Sequence, residues 1–521
     1  MKKLPLSILF ISLLLPVSLL AADWPQFKQT PNRQGCSLTE RVTLPSKLCA
    51  WFNFNSPIIA SPVIVSGKAY AVSSKGLLAR IDLATNKIDW RVSLGGVGNE
   101  SSPSVVGGKV YVGTKIGKLF VLDASTGAEI KQYDAGSPIF ASPLVLDSGV
   151  YFGSLNAKFH ALDLNGNLKW TYQAKNNIIH SAASDSGCIV FCDGNKLLYR
   201  FRDLGSTYGV VYISHILNWA TTSPSSAAPP SGDPFLATPM IWNNGIFVGR
   251  GNQEYGGGSH QLTRINFSTG EYNVTSGPCT GVFTTPSVDT ATHLMYIGSN
   301  NTGLFALRNG IGTWPDWTTN GQYYETTGVW GVNSSPAVVA NCLIFGSEQG
   351  EVHFFQKDTL PYGKGYGGVQ FWSYKTTSGK AFNASPAVSD GKVMIGSLDG
   401  CLYGFWNGTE VSSSVTVDTV HHTNVNDRQS PPGVWTLTAS PNPSPGGSIA
   451  IFSSNHFKDM TLSILDTRGR EIRNLKASGS GVINWNLMNS RNEPVAAGAY
   501  VAVLKNGTDK TIHTVRLVVM R

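Results

Sequence analysis

The sequence predicts an all-β protein: an eight-bladed β-propeller closed by an N-terminal strand, followed by a small β-sandwich. Three observations carry this expectation. A phrase of about 40 residues recurs along residues 23–411, the size of one propeller blade. Charged residues make up only 14% of the 521-residue chain while glycine occurs 56 times, a balance that favours strands and tight turns over helices. After Val411 the phrase stops and a differently patterned segment begins.

The recurring phrase opens on Ser or Thr, then Pro, then a short apolar run. It occurs at Ser61-Pro62, Ser102-Pro103, Ser142-Pro143, Thr238-Pro239, Thr285-Pro286, Ser335-Pro336 and Ser385-Pro386. The gap between Pro143 and Pro239 is wide enough for two repeats. "HSAASDSGCIVFCDGNKLLYRF" fills it, read with Ala183 in the proline slot, which makes eight units. The first three steps are 41, 40 and 40 residues and the later ones 56, 47, 50 and 50, so insertions gather in the second half.

Each unit has the same inner grammar. An apolar run ("VIV", "SVV") leads to a turn such as Ser66-Gly67, Gly107-Gly108 or Asp390-Gly391. A second strand follows ("KAYAV", "KVYVG", "GVYFG", "KVMIG"), then a third ("LLARID", "KLFVLD", "KFHALD", "CLYGFW"), then a polar turn and a fourth ("KIDWRVS", "NLKWTYQ"). Apolar positions run almost continuously within the strands, as sheets covered on both faces require. The last unit lacks a fourth strand, and "LCAWFNFN", Leu48 to Asn55, stands spare before the first. That strand is expected to complete the last blade and close the ring. Trp51, Trp90, Trp170 and Trp372 read as residues that dock one blade on the next, and Asp82, Asp123 and Asp163 as turn residues. "DLNGN", Asp163 to Asn167, lacks the further ligands of a calcium loop.

The phrase "LDASTG", with Trp further on in the sister units ("DLATNKIDW", Asp82 to Trp90), resembles the repeat of pyrroloquinoline-quinone (PQQ)-type eight-bladed propellers. "DWPQFKQTPNRQG", Asp23 to Gly35, resembles the usual opening of such domains. The resemblance covers roughly residues 23–411 and is specific for fold, not chemistry. It implies either a quinone-dependent dehydrogenase or a propeller without cofactor, such as the outer-membrane assembly-factor scaffold. Dehydrogenases of this type hold calcium with a carboxylate set, use an Asp base and carry two adjacent cysteines beside the cofactor. This sequence has no Cys-Cys pair and no trio of Asp, Glu and Asn that stands apart from the turn motifs. It has no GxSxG elbow and no HExxH helix. No catalytic residue, no metal ligand and no cofactor are therefore expected. PQQ with calcium belongs to the alternative reading, a PQQ-dependent dehydrogenase.

The chain opens "MKKLPLSILFISLLLPVSLLAAD", a positive start, an apolar stretch from Leu4 to Leu20, and then Ala21-Ala22. Residues 1–22 have the form of a secretory signal, with cleavage after Ala21 or Ala22. The stretch carries Pro5 and Pro16 and is short for a membrane span, and Asp23 stands where a lipoprotein would need Cys. Export without a transmembrane or lipid anchor is expected, to the extracellular space or outer cell surface, with the periplasm as alternative. The formal charge of +8 is spread thinly with no dense Lys/Arg run, so a mildly basic solvated surface is expected and not a nucleic-acid surface. Seven cysteines are scattered. Cys188 and Cys192 on one strand would lie about 13 Å apart, too far for a disulfide; Cys36 with Cys49 is left open, and buried free thiols are preferred.

Two insertions break the repetition. Gly310 to Gly331 lengthens the sixth unit and Lys357 to Trp372 the seventh. Both fall after the third strand of adjacent units, so Trp314, Trp317, Tyr323, Tyr324, Tyr362 and Tyr366 form a candidate aromatic rim for a glycan or protein partner. The competing expectation packs these rings under their own loops. A carbohydrate-processing role is the third functional reading. Ala220 to Pro234 reads as a polar surface loop, and His421-His422 lie in a polar linker.

Residues 412–434 read as that linker, ending in Pro431-Pro432. Residues 435–521 hold about seven short strands with alternating Leu462, Ile464 and Val501, Val503, which imply a small sandwich. Asn442-Pro443, Asp466, Gly469-Arg470, Trp485, Gly498-Ala499-Tyr500 and the terminal "RLVVMR" resemble the C-terminal sorting domain of the bacterial type IX secretion system, related to the Ig-like domain of flagellar hook-cap proteins. The resemblance implies carriage across the outer membrane by the secretion machinery and surface attachment. The alternative is a plain adhesive Ig-like module.

Overall fold

The computed structural model describes residues 22–44, 46–95, 100–194, 197–215, 237–249, 261–276, 284–299, 303–308, 323–325, 329, 331–357, 365–366, 370–417, 437–440, 449–453, 461–466, 470–476, 482–505 and 511–519. The Ala220–Pro234 insertion, His421 and His422 lie outside them. The chain divides into two units, Met1–Thr423 and Asn424–Arg521. Among the described residues every regular element is a strand.

Among the described residues the first unit holds eight sheets of four or five strands, one per sequence repeat. The first blade is Val63–Val65, Lys68–Val72, Leu77–Asp82 and Lys87–Ser93, an antiparallel meander running from inner to outer strand. Its first turn, Ser66-Gly67, has φ of 50° and 71°, the two left-handed residues of a type I′ hairpin, and Gly107-Gly108 and Asp390-Gly391 repeat it. Asp82, Asp123 and Asp163 close the turn before the fourth strand: Asp82 Oδ1 accepts the N–H groups of Ala84 and Thr85, and Asp123 Oδ1 those of Ser125 and Thr126. Asp163 Oδ1 accepts from the Asn165 and Asn167 amides, so its carboxylate is consumed by the turn.

Blades dock through two repeated contacts. Trp90 Nε1 donates to the Ala124 carbonyl of the second blade at 3.1 Å, Trp170 Nε1 to Asp203 Oδ1 of the fourth at 2.8 Å, and the Trp372 ring meets Phe405 of the eighth edge-on. Trp51 stacks on Tyr403 of its own blade. Nearer the axis, the glycine ending the second strand makes room for an apolar side chain arriving from the next unit. A Cβ on Gly153 would stand 2.1 Å from Ile178, and Gly113 meets Ile139 and Gly396 meets Ile58 in the same way.

Ring closure follows the expectation. Lys47–Asn53 pairs antiparallel with Cys401–Trp406, from Lys47 opposite Trp406 to Asn53 opposite Cys401, and supplies the missing fourth strand of the eighth blade. Two sequence readings need correction. The inner strand of the fourth blade begins at Ala183, and the Ser181 hydroxyl holds the marker position, so Ala182 and not Ala183 takes the proline slot. Val415–Thr416 adds to Lys47–Asn53 in parallel and Val417 is buried, its N–H donating to Asn53 O at 2.6 Å. The propeller therefore extends past residue 411 into the segment read as linker. The six described cysteines, Cys36, Cys49, Cys188, Cys192, Cys342 and Cys401, are free thiols, which removes the Cys36–Cys49 pairing.

The second unit consists of two sheets. Leu437–Ser440, Ile449–Ser453 and Val482–Trp485 form one; Glu471–Lys476, Thr461–Asp466, Gly498–Lys505 and Thr511–Val519 form the other. Leu462, Ile464, Trp485, Tyr500, Ala502 and Leu517 make their common core. The Tyr500 hydroxyl reaches back to the Ala496 carbonyl at 2.7 Å, a corner that pins the chain entering its strand.

Candidate functional site

The Ser/Thr-Pro marker builds the centre of the ring. Proline holds the preceding residue extended, and that residue's hydroxyl accepts the backbone N–H of its counterpart one blade earlier. Ser61 N–H donates to Ser102 Oγ at 2.8 Å, Ser102 to Ser142 at 3.0 Å, Ser142 to Ser181 at 2.8 Å and Ser181 to Thr238 Oγ1 at 3.1 Å. Thr285 donates to Ser335 at 2.9 Å, Ser335 to Ser385 at 3.1 Å, and Ser385 returns to Ser61 at 2.8 Å. These seven bonds make a belt of hydroxyls about the axis.

The "DWPQFKQTPNRQG" segment winds inside the ring. In seven blades the three-residue inner strand turns the N–H of its middle residue toward the segment, an open edge that needs an acceptor. Trp24 bridges to Ile64 of the first blade, and Val105 and Val145 of the next two donate to Pro25 O at 2.7 Å and to Gln26 Oε1 at 3.4 Å. Ser184, Ile241, Val288 and Val338 donate in turn to the carbonyls of Pro31, Asn32, Gln34 and Gly35 at 2.8, 2.9, 3.1 and 2.9 Å. Cys36–Ser37 then runs parallel to Ala337–Val339 of the seventh blade. The segment visits seven blades in sequence order.

This plug is locally unfavourable and held by its surroundings. Lys28, Gln29 and Arg33 have φ of 60°, 66° and 63°, left-handed conformations that cost non-glycine residues free energy. Lys28 is buried, with Nζ bonded to Ser287 Oγ and to the Pro336 carbonyl, and burial pushes its ammonium well below the usual lysine range. Arg33 is fully buried; its Nε and Nη1 donate to the carbonyls of Ala182 and Phe27, and burial lowers its guanidinium to about 9.

Against the plug lies an axial cavity of about 230 Å³, lined by Phe27, by the hydroxyl belt and by His180. Its remaining wall comes from Ala237 and from the residues two positions before six of the marker hydroxyls: Ile59, Glu100, Phe140, Ile179, Asn333 and Asn383. Desolvation raises the Glu100 carboxyl above its ordinary value, with Lys115 opposing it, and the Lys115 ammonium sits 5.8 Å from the Phe140 ring centre. Asn333 Nδ2 is held by Glu348 Oε1. The wall is apolar on one arc and amide-bearing on another. It suits a small polar group or an inserted side chain.

The sequence-predicted rim is placed only in part. Tyr323–Glu325 is the fourth strand of the sixth blade, and Gly365–Tyr366 adds outside it in parallel, Tyr324 opposite Gly365 and Glu325 opposite Tyr366. The two insertions therefore meet at the outer edge of that blade. Trp314, Trp317 and Tyr362 lie outside the described residues, as do the side chains of Tyr323, Tyr324 and Tyr366. Sequence reasoning missed the axial residues. The usable signal was their fixed offset from the marker, at Ile59, Glu100, Phe140 and Ile179.

The PQQ and calcium of the resembling dehydrogenases do not fit the donor set of this cavity. Among the described residues Glu100 is its one carboxylate, and no three His, Cys, Asp or Glu side chains gather at metal-binding distance. Its volume is below that of ordinary cofactor pockets, about 300–1,000 Å³.

Comparison with known proteins agrees with the architecture. A family model described as outer membrane protein assembly factor BamB matches residues 74–207. The outer membrane protein assembly factor BamB of Burkholderia pseudomallei (strain K96243) is 23% identical over 372 residues, 66% of this chain and 83% of the relative. Among solved structures, BamB from Moraxella catarrhalis superposes with a TM-score of 0.51 at 15% identity, covering 71% of this chain and 99% of that one. Quinohemoprotein alcohol dehydrogenase from Comamonas testosteroni gives 0.57 at 13% identity, with 75% and 82% covered. The chain is an all-β propeller of PQQ-like repeats, and in sequence it is similar to BamB.

Proposed function

We propose that this protein is an exported, non-catalytic propeller that serves as a binding or scaffolding surface for a protein partner at the cell envelope or outside the cell. One observation carries the reading: the protein's own Asp23–Gly35 segment fills the axial channel where a dehydrogenase of similar fold would need room and ligands for a cofactor. The sequence similarity to an outer-membrane assembly factor supports it. Partner contact is assigned to the insertion strands Tyr323–Glu325 and Gly365–Tyr366, which add an extra edge to one blade. The tail, residues 435–521, carries the protein through the outer membrane and fixes it there.

Titration with PQQ and calcium tests the first part. No ultraviolet-visible signature and no dye reduction are expected, and either signal would replace this reading with the dehydrogenase. Crosslinking from the insertions, compared with Trp317→Ala/Tyr366→Ala, tests the second part. Loss of partner or glycan binding at unchanged stability supports the rim, whereas lowered stability with unchanged binding assigns those rings to packing. Fractionating cells with and without residues 435–521 tests the tail, and an unchanged location would remove its sorting role.

A further inference from the structure

Glu40 is a buried carboxylate, 3% exposed, and among the described residues no Lys, Arg or His pairs with it. Its Oε2 accepts the Gly391 N–H at 3.2 Å, and its Oε1 lies 2.6 Å from the backbone nitrogen of Ala22. A neutral amide is a weak partner for a desolvated carboxylate, which is ordinarily matched by a cation. The chain is anchored from this point on. Asp23 Oδ1 takes the Ser66 N–H at 2.7 Å, and Trp24 is buried against Ile64. The sequence just before Ala22 ends the apolar leader on a small residue, Ala21.

We propose that the leader is cut between Ala21 and Ala22 and that Glu40 is the receptor for the new α-ammonium of Ala22. The inference rests on the exported reading. Hydrolysis consumes one water and breaks the Ala21 C–N bond: the carboxylate stays with Ala21 on the leader and the amine stays with Ala22. That amine is protonated at neutral pH. Processing thereby converts the N–H at Glu40 into the cation that the buried carboxylate lacks. Because Glu40 also holds Gly391 and its carbonyl accepts the Ala340 N–H, the new terminus is tied to the seventh and eighth blades together. Cleavage one residue later would leave Glu40 without this partner.

N-terminal sequencing of the exported protein reads the site directly. A terminus at Ala22 is expected. A terminus at Asp23, or an uncut chain in the exported fraction, overturns the proposal and leaves export standing; an uncut chain retained in the cytoplasm overturns both. The receptor role is read from melting temperatures of the protein beginning at Ala22. Glu40→Gln, and separately acetylation of the Ala22 amine with Glu40 intact, should each lower the midpoint by about 2–4 °C. Acetylation leaves the sequence unchanged, so the test survives if Glu40→Gln does not fold. An unchanged midpoint on acetylation removes Glu40 from the role.

Discussion

The backbone N–H of Ser385 donates to the Oγ of Ser61 at 2.8 Å across 324 residues of sequence, and this bond joins the last blade of the hydroxyl belt to the first. Both residues are buried, so removing the acceptor leaves the Ser385 N–H without its protein partner. Ser61→Ala should cost about 1–3 kcal/mol of stability. Ser61→Thr keeps the hydroxyl, as Thr238 and Thr285 do at the same position, and should cost less. Equal denaturation midpoints for the two variants would dissociate the belt from stability.

Gly153 and Ile178 form a lock between the third and fourth blades. An added methyl at Gly153 stands 2.1 Å from Ile178 Cγ2 and 2.4 Å from its Cβ, and Ile178 is fully buried. Gly153→Ala is expected to destabilise by about 1–3 kcal/mol through overpacking. Combined with Ile178→Ala, which removes the Cγ2 contact while keeping the Cβ one, it should recover only the part of that loss due to Cγ2, so a double-mutant cycle gives a favourable coupling. Additive effects would mean that the two sites do not compete for one volume.

Deleting Leu48–Asn55 removes most of the strand that completes the eighth blade. It exposes the Cys401–Trp406 edge and uncovers Phe405, which is fully buried. The expected result is a cooperative loss of the whole ring, seen as a single lowered thermal transition. A variant that keeps the full-length melting temperature would show that the ring does not depend on this closure.

Two histidines set an acid limit. His160 hydrogen-bonds Tyr133 at 3.0 Å and Ser154 at 2.9 Å, and His353 hydrogen-bonds Gln370 at 2.9 Å and Ser347 at 3.2 Å. Burial lowers His160 to about 4 and lowers His353 as well. The unfolded chain, with histidine near its usual value of about 6.5, then binds protons before the folded one does. Stability from this source is present above about pH 6.5 and is lost as pH falls toward 4. His160→Gln should flatten the loss between pH 6.5 and 4 in chemical denaturation, and an unaltered slope would assign the acid sensitivity elsewhere.

The blades were legible because each is written in local grammar. Hairpin pairs such as Gly107-Gly108, the Asp123 turn and the Trp90 docking residue act within a few residues or on the adjacent unit, and repetition multiplies the signal. Closure by Leu48–Asn55 was legible from arithmetic, a missing strand at one end and a spare at the other. The axial site was not. Glu100, Phe140 and Asn333 share no residue type, and only the curvature of the ring brings them to one cavity. Lys28 and Arg33 carry no local signal of burial, because nothing local says that seven inner strands will close around them. The proline slot was misplaced by one residue at Ala182 because neither Ala182 nor Ala183 carries the ring that marks the slot elsewhere.

The Lys47–Asn53 strand also sets a timetable. It leaves the ribosome early, yet its partner, Cys401–Trp406, is made roughly 350 residues later. At about 5–20 residues per second the early strand waits about 20–70 s for the edge it must join. The Asp23–Gly35 segment waits on the same schedule, since its acceptors serve inner strands as distant as Ala337–Val339. The ring therefore cannot close until late in synthesis, once Cys401–Trp406 has been made. The segments most exposed to premature association are the two that later disappear into the centre and the seam.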